Sequence, residues 1–242
     1  MITTLHKIFR VMIRALFPNK CISCGDIISE GEWICDYCHE MAEYVDSSKR
    51  CLACGLEKGR CDCEKSVFHF ESCVAPFYNC GVIRNAFYSY KLNNKMHYAP
   101  FFADKMAFSV KNEFRNINFD GVCYVPASRR SKLKRGFDQC RILAELISER
   151  LDIPLFDGEI ICNSFSAVQH KLTKDERFAN VRGMYSCKSD NTGKIILLVD
   201  DIKTTGATLD ECARRLLFSG AYEVYCVTAL ISDHRRKKNG EK

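Results

Sequence analysis

No stretch of this 242-residue chain is apolar for long enough to cross a bilayer. Residues 1–17 contain no uninterrupted apolar core followed by a small-residue cleavage site. The first absence argues against membrane insertion and the second against export. No internal repeat and no low-complexity segment stands out. A large excess of charge is also missing: 36 Lys and Arg face 30 Asp and Glu, a formal net of +6. Net charge therefore gives no argument for a nucleic-acid-binding protein, and only local patches could serve that role. With 47% hydrophobic residues, the chain has the material for an ordinary globular core.

What the sequence has in excess is cysteine, 16 in all. Eight fall close together: Cys21, Cys24, Cys35, Cys38, Cys51, Cys54, Cys61 and Cys63. The first four read C-x2-C, ten residues, C-x2-C, the spacing of a zinc site with four thiolate ligands. The second four read C-x2-C, six residues, C-x-C. The Cys61–Cys63 pair is compressed, which leaves one zinc ion or two open. Gly25 follows Cys24 and Gly55 follows Cys54, allowing tight turns whose N–H groups face the thiolates. With no export signal the expected compartment is the reducing cytoplasm, where thiolates hold zinc in preference to forming disulfides. Two four-thiolate zinc centres would lower the net charge from +6 to about +2. Cys123, Cys162, Cys212 and Cys226 lie in apolar runs and are expected in the core.

The most informative segment for function is Leu197-Leu-Val-Asp-Asp-Ile-Lys-Thr-Thr-Gly-Ala-Thr208. An apolar strand, Ile195 to Val199, leads into two adjacent carboxylates and a turn of small hydroxyl residues. A helix is predicted next, started by a Thr208/Glu211 capping box and stopped by Gly220. Strand, turn and helix N-terminus form a phosphate site from backbone N–H groups and the positive helix end. Thr204, Thr205, Gly206, Ala207 and Thr208 would wrap the phosphate. Asp200 and Asp201 would repel it, but suit sugar hydroxyls, which donate to carboxylates. Phosphate beside two hydroxyls implies a ribose 5-phosphate.

Around this motif the pattern is α/β. Helices are predicted over Gly81–Leu92, Tyr98–Phe114 and Phe137–Leu151, and strands over Gly121–Val125, Glu159–Cys162 and Glu223–Ile231, with strand character at 67–70 and 73–78. Such alternation implies a mainly parallel sheet covered on both faces, with ligands at the carboxyl ends of its strands. The boundaries expected are an N-terminal amphipathic helix over 1–17, a metal module over 18–65, an α/β domain over 66–232 and a charged tail over 233–242. A segment as short as 18–65 draws its folding energy from metal. Arg129, Arg130 and Arg135 belong to a basic loop that follows a strand end. With Lys91 they are candidates for a pyrophosphate or a DNA backbone. Gln169, Lys171, Arg177 and Asn180 lie in a long polar connection with the character of a lid. Phe77, Tyr78, Arg84, Phe87, Tyr88, Tyr90 and Lys91 place aromatics beside cations, suited either to stacking bases or to packing a core.

The motif resembles the phosphoribosyl-pyrophosphate (PRPP) loop of type I phosphoribosyltransferases. Further motifs extend the likeness: Phe17-Pro18 before Cys21, Tyr90-Lys91-Leu92, Val125-Pro126, Arg135-Gly-Phe-Asp-Gln139, Gln169 with Leu172, and Arg177 with Asn180. In this order they resemble the ComF family, a double zinc ribbon followed by a type I phosphoribosyltransferase-like domain. Lys203 within the turn departs from the family pattern, as does Cys162-Asn-Ser164 where a basic residue is expected. The resemblance implies a cytoplasmic protein of natural competence, at the inner face of the membrane with the uptake machinery but not inserted in it. Its implied partners are single-stranded DNA, a helicase-like ATPase, and PRPP or another ribose phosphate, with Mg²⁺ accompanying PRPP. Two alternatives stand beside it. One is an active phosphoribosyltransferase of the amidophosphoribosyltransferase kind, although no acceptor site and no catalytic residue are identifiable. The other is a zinc-dependent interaction protein with a vestigial pocket.

Overall fold

The computed structural model describes residues 17–61, 68–163 and 174–233, with the side chains of 174–177 excepted. The expected N-terminal helix, Cys63, Gln169, Lys171, the Arg177 side chain and the charged tail lie outside the described residues. In chain order the elements are α1 (Asp36–Glu40), β1 (Ser72–Val74), β2 (Phe77–Tyr78), α2 (Gly81–Leu92), α3 (Ala99–Glu113), β3 (Gly121–Tyr124) and α4 (Arg129–Arg135). There follow α5 (Gln139–Leu151), β4 (Ile160–Cys162), α6 (Lys174–Val181), β5 (Tyr185–Cys187), β6 (Ile195–Lys203), α7 (Ala207–Phe218) and β7 (Glu223–Ile231).

A parallel sheet in the order β1-β7-β6-β3, with β2 also on β7, forms the centre. Its strands are apolar on both faces, as a sheet covered on both sides requires. Leu197, Val199 and Val227 pack among Phe87, Phe102, Met106 and Leu143 of α2, α3 and α5. Ile196, Leu198, Val224 and Cys226 pack against Leu209, Cys212, Ala213 and Leu216 of α7. Leu209 and Leu216 of α7 are fully buried, so truncation of either to Ala would cost about 2–5 kcal/mol. The opposing faces fix the position of the β6–α7 turn at the carboxyl edge of the sheet.

Several expectations change. β6 does not stop at Val199: Ile202 pairs with Leu230 and Lys203 with Ile231, so the two carboxylates lie within the strand. The capping box is absent, because α7 begins at Ala207 behind Gly206 (φ 85°) and no side chain caps it. Glu211 instead accepts from Gly183 N and binds Arg214 and Arg215. The predicted strand at Glu159–Cys162 forms as β4, but pairs antiparallel with β5, outside the main sheet. The basic segment is the helix α4, capped by Ser128, rather than a loop. Residues 68–70 form no strand. Cys123, Cys212 and Cys226 are buried as expected, while Cys162 is only partly so.

The cysteine module contains a repeat that the sequence reading did not find. Cys21 N donates to Asp26 O at 2.7 Å and Gly25 N to Cys21 O at 3.0 Å. Thirty positions later, Cys51 N donates to Leu56 O at 2.7 Å and Gly55 N to Cys51 O at 3.0 Å. Lys20 bridges to Ile27, and Arg50 to Glu57. The first and second knuckles therefore share one backbone plan, in which a left-handed glycine (φ 85° and 82°) closes each turn.

The module is not a free appendage. Tyr44 bridges to Phe77, Val45 N donates to Pro76 O, and Tyr78 N donates to Glu43 O. The Arg50 side chain is buried. It donates to Ser72 Oγ and Cys73 O and pairs with Glu113 on α3 at 2.9 Å.

Candidate functional site

Asp200 and Asp201 stand at the centre of the site, 8% and 7% exposed. The ladder is interrupted here. Asp201 N donates to Asp200 Oδ1 at 2.7 Å and Ile202 N to Asp201 Oδ1 at 2.6 Å. Ile202 also packs on the same side as Leu197 and Val199, so the strand alternation shifts by one across the pair. That local irregularity lets neighbouring carboxylates share one space, which a regular strand would forbid.

Lys91 on α2 pairs with Asp201 Oδ2 at 2.5 Å. Gln139 on α5 donates to the same oxygen at 2.9 Å and accepts from Arg135 Nη1 at 2.6 Å. Tyr90, beside Lys91, donates to Gln139 O and so ties α2 to α5. Cys140 Sγ lies 3.5 Å from Asp200 Oδ1. Burial opposes ionisation of Asp201, but Lys91 and the hydrogen bonds from Lys91 and Gln139 outweigh it and hold the carboxyl below the usual range. Burial, followed by the charge of Asp201, pushes Asp200 up to about 7. One member of the pair is thus a fixed anion and the other titrates near neutrality. Burial also keeps Cys140 a neutral thiol.

The turn lies immediately beyond. Thr205 is buried, and its Oγ1 accepts from Ala207 N at 3.4 Å; Thr204 and Thr208 are partly exposed. An uncapped helix N-terminus beside hydroxyls is suited to an anion. Sugar hydroxyls at the carboxylates and a phosphate at the turn would bind one molecule at both ends.

The other candidates divide. Lys91 and Arg135 converge on the pair, Arg135 through Gln139. Arg129 and Arg130 lie on the exposed α4. Asn180 is exposed at the end of α6. Phe77, Tyr78, Phe87 and Tyr90 are core residues, which removes them as base-stacking surfaces. Gln139, Cys140 and Lys203 are site residues to which the sequence alone assigns no role, although Gln139 ends a family-like motif and Lys203 departs from the family pattern. For Gln139 the available signal was its position four residues after Arg135. For Lys203 it was a charge inside an otherwise apolar strand.

The thiol groups fit zinc. The sulfurs of Cys21, Cys24, Cys35 and Cys38 all lie within 4.8 Å of one another, with Cys24 and Cys35 at 3.6 Å. Tetrahedral zinc with bonds of about 2.3 Å needs sulfurs a little under 4 Å apart. Burial works against the Cys21 thiolate, yet backbone N–H groups of Cys24, Cys35 and Ser23 bring it down to about 6. Cys51, Cys54 and Cys61 form a second group within the same limit. The two groups differ in setting. A side chain added at Gly25 would meet nothing within 4 Å, whereas one at Gly55 would stand 2.5 Å from Cys73 O.

Residues 138–242 match the family model described as a phosphoribosyl transferase domain, and residues 12–74 the model described as a double zinc ribbon domain. The chain is 26% identical over 224 residues to "DNA utilization protein YhgH" of Escherichia coli K12, covering 87% of this chain and 96% of that protein. It is 23% identical over 220 residues to "Competence protein F" of Haemophilus influenzae, covering 86% and 95%. Over 97 residues it is 37% identical to "Competence protein ComFC" of Bacillus subtilis, covering 40% and 38%. Among solved structures, the allosteric regulatory enzyme of purine biosynthesis aligns at 24% identity and a TM-score of 0.36, covering 55% of this chain and 25% of that one. Among the described residues, no helix is long and apolar enough to cross a membrane.

Proposed function

Because this chain joins a double zinc ribbon to a phosphoribosyl transferase domain, and is similar over most of its length to proteins named for DNA utilization and competence, we propose that it is a ribose-phosphate-binding protein of natural competence. It acts in the cytoplasm on entering single-stranded DNA, beside a helicase-like ATPase. The observation that carries the reading is the Asp200–Asp201 pair set next to an uncapped, hydroxyl-lined turn. The carboxylates accept from the ribose hydroxyls, and Thr204, Thr205, Gly206, Ala207 and Thr208 hold the 5-phosphate. PRPP would bring Mg²⁺ on its diphosphate, which needs no carboxylate cage from the protein. Zinc is assigned to both knuckles, with Cys63 completing the second.

The convergence of Lys91 and Arg135 on the pair favours one second reading. Lys91 on Asp201 and Arg135 on Gln139 put two cations on the carboxylate side of the pocket, which supports a reading in which they meet a pyrophosphate. The double variant Asp200→Asn/Asp201→Asn distinguishes the two. Calorimetry should show PRPP binding weakened by about 100-fold or more, given two lost charge-assisted contacts of about 1.5–3 kcal/mol each. Uptake of labelled DNA should fall with it. Intact uptake with loss of a pyrophosphate-releasing activity would establish the transferase instead. Unchanged PRPP binding would remove the pocket from both readings.

A further inference from the structure

Two cavities open between α3 and the cysteine module, and neither shares a residue with the carboxylate site. The larger, about 520 Å³, lies between α3 and residues 32–39. The smaller, about 170 Å³, lies between α3, residues 44–50 and residues 74–76. Lys105 and Phe108 line both, so the two form one continuous groove. Its α3 wall is Phe101, Lys105, Phe108 and Asn112, spaced i, i+4, i+7 and i+11 on one helix face. At 1.5 Å per residue that wall runs for about 17 Å, or about three helical turns.

The groove is apolar at its base. His39, Tyr44, Phe77 and Phe101 form a ladder of ring contacts, with centroids 5.6, 5.0 and 5.9 Å apart. On the rim Phe108 is 64% exposed, a large apolar surface left to water. Its charge is acidic. Between Cys21 and Ser48 the chain has seven carboxylates and no Lys or Arg, in a molecule whose formal net charge is +6. Asp104 and Glu113 of α3 are already paired, with Arg150 and Arg50. Glu32 and Asp36, on the opposite wall, form no ion pair among the described residues. Such a face repels a phosphate backbone and attracts Lys and Arg. Strand addition is also closed off. Beside the groove, Arg50 donates to Cys73 O and Val45 N to Pro76 O, so these outward groups of the sheet edge are taken. A partner must bind through side chains, as a helix in a groove does.

We propose that the groove between α3 and the cysteine module is a docking site for a basic amphipathic helix of a partner protein. The apolar face of that helix enters between Trp33 and Phe108, over the ring ladder. Its Lys and Arg residues meet Glu32 and Asp36, and an apolar or acidic residue faces Lys105. The cysteine module is then a protein-docking face, and nucleic acid is left to other surfaces. The assignment holds whether or not the carboxylate pocket binds ribose phosphate.

The test uses the full-length, zinc-loaded protein and two model peptides of about 14 residues, or about four helical turns. Both carry Leu at i, i+3, i+4 and i+7; one fills its other face with Lys and its twin with Glu. Calorimetry should show the Lys peptide binding at least about tenfold more tightly than the Glu twin, with affinity falling as salt rises. Phe108→Ser should weaken the Lys peptide by about tenfold or more, as for loss of one buried ring. Because Phe108 is largely exposed in the free protein, the melting temperature of the variant should hold. Glu32→Gln/Asp36→Asn should weaken binding about fivefold and flatten the salt dependence. Amide exchange should slow along 32–39 and 101–112 when the peptide binds. Equal affinity for the two peptides, or unchanged affinity in a folded Phe108→Ser protein, overturns the docking site. Three results would name another occupant and overturn it equally. They are weaker binding of labelled single-stranded DNA in Phe108→Ser, dissociation of a dimer of the full chain by that substitution, and much tighter peptide binding once residues 1–16 are removed.

Discussion

The two knuckles share a backbone plan and differ in what surrounds them. Lys20 and Arg50 occupy equivalent positions, yet Lys20 is exposed while Arg50 is 5% exposed and binds Ser72, Cys73 and Glu113. Gly25 borders open space and Gly55 lies against the backbone of β1. One unit has thus served twice, once as a surface feature and once as a part of the α/β core. Metal-binding geometry resides in the repeated backbone, and placement resides in the few residues that differ. Arginine suits the second position because its planar fork reaches several acceptors at once, which an ammonium on the same stem would not match.

The comparison predicts unequal effects at equivalent positions. The largest belongs to the basic pair. Arg50→Met leaves Glu113 without its partner in a partly buried setting and should cost about 3 kcal/mol, whereas Lys20→Met should stay within about 0.5 kcal/mol. Urea unfolding of the zinc-loaded protein measures both, and equal losses would mean that the second knuckle is no more embedded than the first. The glycines should differ next. Gly25→Ala meets only the strain of a positive φ, about 1 kcal/mol. Gly55→Ala adds a 2.5 Å contact with Cys73 O and should lose about 1–3 kcal/mol more, with faster amide exchange in β1 and β7.

The smallest effect separates the sheet from both knuckles. Asp200 is held near 7, above its unfolded value of 3.8, so the fold favours its protonated form. Its stabilising contribution is complete below about pH 4 and is lost as pH rises through about 7. Asp200→Asn keeps a neutral group there. Its melting temperature, measured from pH 5 to pH 8, should fall less than that of the wild type, with a modest gain at pH 8. A wild-type curve parallel to that of the variant would show that Asp200 does not titrate in this range.

Much of this was legible in the sequence, and for physical reasons. α2 and β7 occur where predicted because α2 has a strong helical apolar period starting at Gly81 and β7 is an almost continuous apolar run that polar Ser232 and Asp233 end. The eight cysteines and the Asp-Asp-x-x-Thr-Thr-Gly turn were readable because ligand chemistry fixes both spacing and residue type. What failed depended on contacts distant in sequence. Glu211 looked like a cap, but Arg214, Arg215 and Gly183 claim it. The end of β6 was placed at the first carboxylate, because pairing of Lys203 with Ile231 across the sheet leaves no local sign. By residue type Phe87 and Tyr90 of α2 suit base stacking, but they pack among the core residues of α3 and α5. The repeat is faint in sequence because, beyond a basic residue, the two cysteines and the glycine of each turn, the knuckles share hydrogen bonds rather than side chains.

β1 falls inside the segment that matches the double zinc ribbon model, yet it is the edge strand of the central sheet. The chain is therefore not two beads on a string. Removing the cysteine segment together with β1 would strip hydrogen-bond partners from β7, the strand beside the one that bears the carboxylates. Half of the molecule could not be exchanged, inherited or expressed without part of the other. In such an arrangement, substitutions in the ribbon are constrained by the sheet, and the two halves must change together.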